Sequence, residues 1–108
     1  MRELRREDYI EGRFTLSFVG YGPESTAPAL ELTHNWDSAG YELGNAFGHV
    51  AIAVGDLWAT CQALAEHGVE ILRPPGPMAF AADTSDARDV IAFVQDPDGY
   101  RIELIEAR

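Results

Sequence analysis

The stretch Val90-Ile91-Ala92-Phe93-Val94-Gln95-Asp96-Pro97-Asp98-Gly99-Tyr100-Arg101-Ile102-Glu103-Leu104-Ile105 decides how the chain is read. Val90 to Val94 and Tyr100 to Ile105 are short runs rich in branched and aromatic residues, which predicts two strands. Asp96-Pro97-Asp98-Gly99 lies between them, with Pro second and Gly fourth, as a type I turn prefers. A hairpin is therefore expected. In its second strand Ile102 and Leu104 point one way, and Glu103 points the other way with Arg101.

Working backward, His49 to Val54 predicts another strand, with Val50, Ile52 and Val54 on one face and His49 beside the small Ala51 and Ala53. Asp56 is a plausible N-cap for a helix carrying Leu57, Cys61, Leu64 and Ala65 at helical spacing. Gly68 ends that helix. Val69 to Leu72 returns as a strand, which Pro74-Pro75-Gly76-Pro77 is expected to stop. From residue 49 the order is strand, helix, strand, strand, strand.

The front of the chain echoes the back. Phe14 to Tyr21 and Ala29 to Thr33 predict two strands, broken by Gly22-Pro23-Glu24-Ser25-Thr26. Phe18-Val19 followed by Leu30-Glu31-Leu32 parallels Phe93-Val94 followed by Ile102-Glu103-Leu104, and Glu3-Leu4-Arg5 loosely parallels Glu70-Ile71-Leu72-Arg73. Such self-similarity points to a duplicated unit. The strand of His49 and the helix after it have no counterpart in the front half. Their counterparts are expected before Met1, and a short first repeat should leave an apolar sheet face without its covering helix.

Composition bounds the function. The 108 residues fit a single domain. All eight basic residues are arginine, and 18 acidic residues bring the net charge to −10. Without lysine there is no Schiff-base or P-loop chemistry, and the acidic balance disfavours nucleic acid. No apolar run approaches the ~18 residues of a membrane span, and the amino end is no secretory signal. One cysteine makes no internal disulfide, which fits a reducing compartment. A cytoplasmic protein without nucleic-acid or membrane partners is the expectation.

Three polar residues interrupt otherwise apolar strands: Glu31, His49 and Glu103. Two carboxylates and an imidazole on converging strands suit a divalent metal with open positions. Each could equally be a solvated residue on an exposed sheet face. The matching places of Glu31 and Glu103 in the two halves argue for the metal. Cys61 lies on the helix's apolar stripe and reads as a core thiol. His67 reads as a surface residue near the helix end, and Asp96 and Asp98 as turn formers. Gly20-Tyr21-Gly22 completes no dinucleotide fingerprint.

Leu30-Glu31-Leu32-Thr33-His34-Asn35-Trp36, Gly48-His49-Val50-Ala51 and Asp96-Pro97-Asp98-Gly99-Tyr100-Arg101-Ile102-Glu103-Leu104 closely resemble the glyoxalase I (lactoylglutathione lyase) family. Phe14 to Gly22 and Pro75 to Met78 match as well, so the similarity runs over nearly the whole chain. The resemblance implies an α+β fold of paired βαβββ modules, the vicinal oxygen chelate fold, with an incomplete N-terminal module at 1–36 and a complete second module at 49–106. It implies a homodimer whose sites lie between chains, so that Glu31 of one subunit meets His49 and Glu103 of the other.

By the same resemblance, Glu31, His49 and Glu103 are metal ligands and Glu103 is the catalytic base. Asn35 matches the glutathione-contacting asparagine, and His49 also borders the substrate. The fourth ligand, a His or Gln on the family's first strand, is expected before Met1. Ala79 and Phe80 stand where the family carries a basic residue after Gly-Pro-Met, with Arg88 as a candidate substitute. The implied cofactors are one divalent metal per site, nickel or cobalt ahead of zinc, with glutathione as co-substrate. The implied reaction converts the hemithioacetal of methylglyoxal and glutathione to S-lactoylglutathione. The alternatives are a ring-cleaving dioxygenase using iron, and a catalytically impaired fragment or metal-free small-molecule binding module.

Overall fold

A computed structural model describes residues 1–108. Seven strands and one helix follow in the order β1 (Arg2–Tyr9), β2 (Phe14–Gly20), β3 (Ala29–Asn35), β4 (Val50–Val54), α1 (Leu57–Glu66), β5 (Glu70–Pro77), β6 (Val90–Gln95) and β7 (Arg101–Glu106). They form two compact units, Met1–Tyr41 and Glu42–Arg108.

The second unit is a βαβββ module with strand order β4-β7-β6-β5. β4 runs parallel to β7, a pairing that needs a long connection, and α1 lies within it. The Asp56 carboxylate accepts from the Ala59 N–H at 2.9 Å, satisfying an otherwise unpaired donor of the first turn. Gly68, at φ +81°, supplies the left-handed residue after the helix that a side chain would resist. Leu57 and Cys61 are buried and form the core with Ala92, Val94 and Leu104. Ile52, Val54, Ile71 and Ile102 pack around them. Ile52 and Val54 of β4 thus face the helix, while Ala51 and Ala53 are exposed on the other side.

Two boundaries differ from the expectation. His49 falls just before β4 rather than within it. β5 does not stop at Pro74 but continues to Pro77. It survives three prolines because it is the edge strand, where a missing N–H costs no ladder bond on the outer side. Its pairing with β6 breaks register between Ile71 and Arg73 and again between Arg73 and Gly76. The Arg73 guanidinium spans this irregularity, donating to the carbonyls of Ile91 at 2.7 Å and Pro77 at 2.8 Å.

The first unit is a three-stranded antiparallel sheet in the order β1-β2-β3. β1 contains no apolar run, yet it is a full strand. Side chains tie it to β2: the Ser17 hydroxyl donates to Glu3 and the Thr15 hydroxyl to Asp8, both at 2.6 Å. Tyr9 stacks on Phe14. Arg5 lies 3.5 Å over the Phe18 ring and pairs with Glu24 at 2.8 Å. No helix belongs to this unit. Leu32 is 53% exposed, in keeping with the uncovered apolar face expected of a short first repeat.

The echoes in the sequence fall on matched positions of the two sheets. Arg5 stands opposite Phe18, and Phe18 opposite Glu31. In the second unit Arg73 stands opposite Phe93, and Phe93 opposite Glu103. A register irregularity precedes the arginine in both cases.

Candidate active site

The site is best built from β7. Glu103 belongs to the face turned away from α1, because Ile102 and Leu104 occupy the helix side. On one flank it is paired with Phe93 of β6 and on the other with Ala51 of β4. His49 lies two residues before Ala51, so the strand period returns its side chain to the same face. The small methyl of Ala51 leaves the space above β4 open for the imidazole.

There the two functional groups meet: His49 Nε2 lies 3.1 Å from Glu103 Oε2. The Glu103 side chain is only 14% exposed, against 41% for His49. Phe93 supports the imidazole edge to face, with ring centroids 5.2 Å apart. One carboxylate and one imidazole are thus held by an aromatic floor and open to solvent on the imidazole side.

The donor set fits a divalent metal. Two nitrogen or oxygen ligands in adjacent coordination positions, each at about 2.1 Å, stand about 3 Å apart. The observed separation lies at that value. Neither unit gathers a third His, Cys, Asp or Glu at metal distance. The structure therefore brings together two of the three sequence-derived ligands.

Glu31, the third, is exposed on β3 of the first unit. It shares a face with Thr33 and Asn35 by the two-residue strand period. Asn35 ends β3, and its side-chain amide donates to the Tyr41 hydroxyl at 2.7 Å. Around it, the Trp36 N–H donates to the Arg13 carbonyl at 3.0 Å. The Trp36 indole N–H donates to Thr15 at 2.9 Å. Arg13 pairs with Asp37 at 2.6 Å and holds that carboxyl below the usual range. Arg88 is exposed in the segment between β5 and β6, where a shallow cleft is lined by Phe80, Ala82, Ala87, Asp89 and Arg108.

The remaining candidates settle as ordinary structure. Burial pushes the Cys61 thiol up, away from the thiolate that a nucleophile needs. His67 caps the C-terminus of α1, its Nδ1 2.7 Å from the Ala63 carbonyl. Asp96 accepts from the N–H groups of Asp98 and Tyr100, as a turn former does. Two residues escaped the sequence reading in their roles, Phe93 beside His49 and Tyr41 beside Asn35. The first had a signal, its echo of Phe18. The second is a loop tyrosine without periodicity around it.

A βαβββ module carrying His and Glu on neighbouring strands, preceded by a sheet with a matching Glu, defines a class of protein. The model of the Glyoxalase/Bleomycin resistance protein/Dioxygenase superfamily matches residues 6–104. The lactoylglutathione lyase of Neisseria meningitidis is 51% identical over 108 residues, which cover all of this chain and 74% of that protein. A probable lactoylglutathione lyase of Synechocystis is 51% identical over 106 residues, or 98% of this chain and 76% of its own. Among solved structures, glyoxalase I from Zea mays superposes with a TM-score of 0.87 at 40% identity, covering 98% of this chain. This chain spans 36% of the length of that maize chain. The trypanothione-dependent glyoxalase I of Leishmania major gives a TM-score of 0.75 at 37% identity over 97% of this chain and 68% of its own. The chain belongs to this superfamily and, within it, to the lactoylglutathione lyases, the glyoxalase I family.

Proposed function

We propose that this chain carries out glyoxalase I chemistry, the isomerisation of the hemithioacetal of methylglyoxal and glutathione to S-lactoylglutathione. The reaction moves two protons and two electrons within the substrate, one proton from carbon to carbon and one from the hydroxyl to the neighbouring ketone oxygen, and needs no external oxidant or reductant. The carbon that bears sulfur and hydroxyl loses its hydrogen as a proton and becomes the thioester carbon. The neighbouring ketone carbon receives a proton and becomes the alcohol carbon.

The observation that carries this reading is the His49–Glu103 contact at 3.1 Å on the open face of the second unit. Glu103 is the residue to which we assign the proton transfer. A carboxylate on a strand paired on both sides, with an imidazole 3.1 Å away, can take the proton from one carbon and return it to the next. His49 and Glu103 would hold a divalent metal, with Glu31 as a further ligand supplied across a homodimer. When bound, the metal supplies Lewis-acid stabilisation of the negative charge that develops on two neighbouring oxygens. Nickel or cobalt is the preferred ion, with zinc next.

Asn35 orients glutathione, His49 borders the substrate, and Arg88 is the cation proposed for a glutathione carboxylate. We read residues 1–36 as the partial first module and 49–106 as the complete second one. No helix is long and apolar enough to cross a membrane. With the free Cys61, this suits the cytoplasm, where glutathione is abundant and reduced.

The test is formation of S-lactoylglutathione by metal-stripped protein given nickel, cobalt or zinc in turn. A rate restored by metal and abolished by chelator is expected. A folded sample that binds metal yet forms no thioester with any of the three would defeat the reading. Bound iron with cleavage of a catechol would instead point to dioxygenase chemistry.

A further inference from the structure

A terminal asparagine amide rotates freely unless something holds it, because the last torsion of Asn has a broad, two-fold preference. Its carbonyl and amino ends then face a ligand interchangeably. Asn35 is exposed, so packing does not fix its amide. One contact does: Nδ2 donates to the Tyr41 hydroxyl at 2.7 Å.

The segment that returns Tyr41 to Asn35 is itself pinned. Trp36 is bonded through its backbone to Arg13 and through its indole to Thr15. The Asp37 carboxylate is held by two guanidinium nitrogens of Arg13, at 2.6 and 2.7 Å. The Ser38 N–H donates to the Asn35 carbonyl at 3.2 Å, and the Ser38 hydroxyl to the Gly40 carbonyl at 3.1 Å. Every residue from Asn35 to Ser38 is thus tied down, and the tyrosine arrives in a fixed position.

We infer that Tyr41 is a positioning residue for Asn35, an inference that rests on the glutathione-dependent reading above. With one Nδ2 hydrogen engaged by the phenol, the amide is held in place, Oδ1 can accept and Nδ2 keeps a second hydrogen to donate. The ligand group it suits is a peptide bond, of which glutathione has two, each with an N–H that can donate to Oδ1 and a carbonyl that can accept from Nδ2. Tyr41 therefore sets the place of the contact. An amide fixed in advance spares the ligand the ordering cost of fixing it on binding.

The experiment compares nickel-loaded wild type with Tyr41→Phe, Asn35→Ala and the double variant. It reads steady-state kinetics with the hemithioacetal and calorimetric binding of the inert thioether S-hexylglutathione. One hydrogen bond of ordinary strength corresponds to about a three- to tenfold change in affinity. Tyr41→Phe is expected to raise KM and weaken thioether binding by that factor, with kcat held within about twofold. In the Asn35→Ala background the same change is expected to add nothing. In the nitrogen-edited NMR spectrum of the free protein, the Asn35 side-chain amide should lose its downfield proton in Tyr41→Phe.

An unchanged KM in Tyr41→Phe, while Asn35→Ala weakens binding, overturns the inference and leaves the glutathione reading standing. So does a Tyr41→Phe loss that persists without Asn35. If Asn35→Ala binds the thioether as wild type does, the assignment of Asn35 falls and the role of Tyr41 falls with it. If wild type itself binds no thioether, the glutathione reading fails first and the inference with it.

Discussion

The two units carry the same row of side chains on their sheets, and yet only one of them assembles a pair of functional groups. In the first, Arg5, Phe18 and Glu31 run across β1, β2 and β3, and Glu31 ends on an exposed edge strand. In the second, Arg73, Phe93 and Glu103 run across β5, β6 and β7, and β4 continues the sheet beyond Glu103. That added strand brings His49, and the helix that follows it covers the opposite face. A carboxylate at the same register position is therefore exposed on an edge strand in one setting and 3.1 Å from an imidazole in the other. The difference lies in the neighbouring strand and not in the glutamate.

The arginines diverge for a related reason. Arg73 is drawn onto the carbonyls freed by a proline-rich edge strand. Arg5 has a regular strand around it and turns instead to Glu24, Glu7 and the face of Phe18. The hydrogen bond to Glu24 is the main reason its guanidinium holds its proton more tightly than usual.

The largest expected effect separates the two glutamates. Glu103→Gln keeps the shape but removes the proton acceptor, and the rate of S-lactoylglutathione formation should fall by about 10²–10⁴-fold. Glu31→Gln should act mainly through metal affinity, so added metal should recover part of its rate, whereas excess metal should not rescue Glu103→Gln. Equal, metal-rescuable losses in both variants would erase the distinction drawn between the two settings.

Stability gives the next contrast. Leu57, the first residue of α1, is fully buried in the core against the sheet, and Leu57→Ala should cost about 2–5 kcal/mol in denaturant unfolding. Leu32→Ala, at an exposed position of the uncovered sheet, should change stability by no more than about 0.5 kcal/mol. A cost at Leu32 comparable to that at Leu57 would mean that the first sheet is covered in solution. Below these comes the helix cap: Asp56→Ala should cost about 1 kcal/mol, read in the same titration.

The smallest effect is one of pH. The Glu7 carboxyl is held below its ordinary range, first by the Tyr9 hydroxyl and then by Arg5. A carboxylate with a depressed folded pKa contributes stability above its unfolded pKa, about 4.3. It loses that contribution as pH falls through the folded value. Glu7→Gln should therefore lower Tm slightly at pH 7, by a gap that shrinks as the pH falls below the unfolded value. A gap that does not shrink would place the effect in packing and not in charge.

Much of this was legible from residues. The hairpin around Asp96–Gly99, the helix between Asp56 and Gly68 and the helix-facing side of β4 and β7 follow from local turn chemistry and alternation, which short-range physics controls. The echo of Phe18-Glu31 in Phe93-Glu103 was visible too, and the register of both sheets places its members opposite each other. Other features were not legible because their cause lies elsewhere in the fold. β5 passes through its prolines only because it is an edge strand, and edge position is a property of the whole sheet. β1 lacks an apolar run because polar side chains and the Phe18 ring, all on β2 or beyond, hold it. Tyr41 reaches Asn35 through a loop without periodicity. The exposure of Leu32 reflects the lack of a helix over its unit, which the repeat had suggested and alternation alone had not.

The central claim is that His49 and Glu103 form a metal-binding pair that the first unit does not reproduce around Glu31. Equilibrium dialysis against nickel tests it most directly, comparing wild type with His49→Ala, Glu103→Gln and Arg5→Ala, with circular dichroism as the check on folding. The account predicts stoichiometric metal on wild type and Arg5→Ala, and a loss of at least about tenfold in affinity for each of the other two, as befits removal of a direct ligand. Full nickel occupancy in a folded His49→Ala, Glu103→Gln double variant would contradict it.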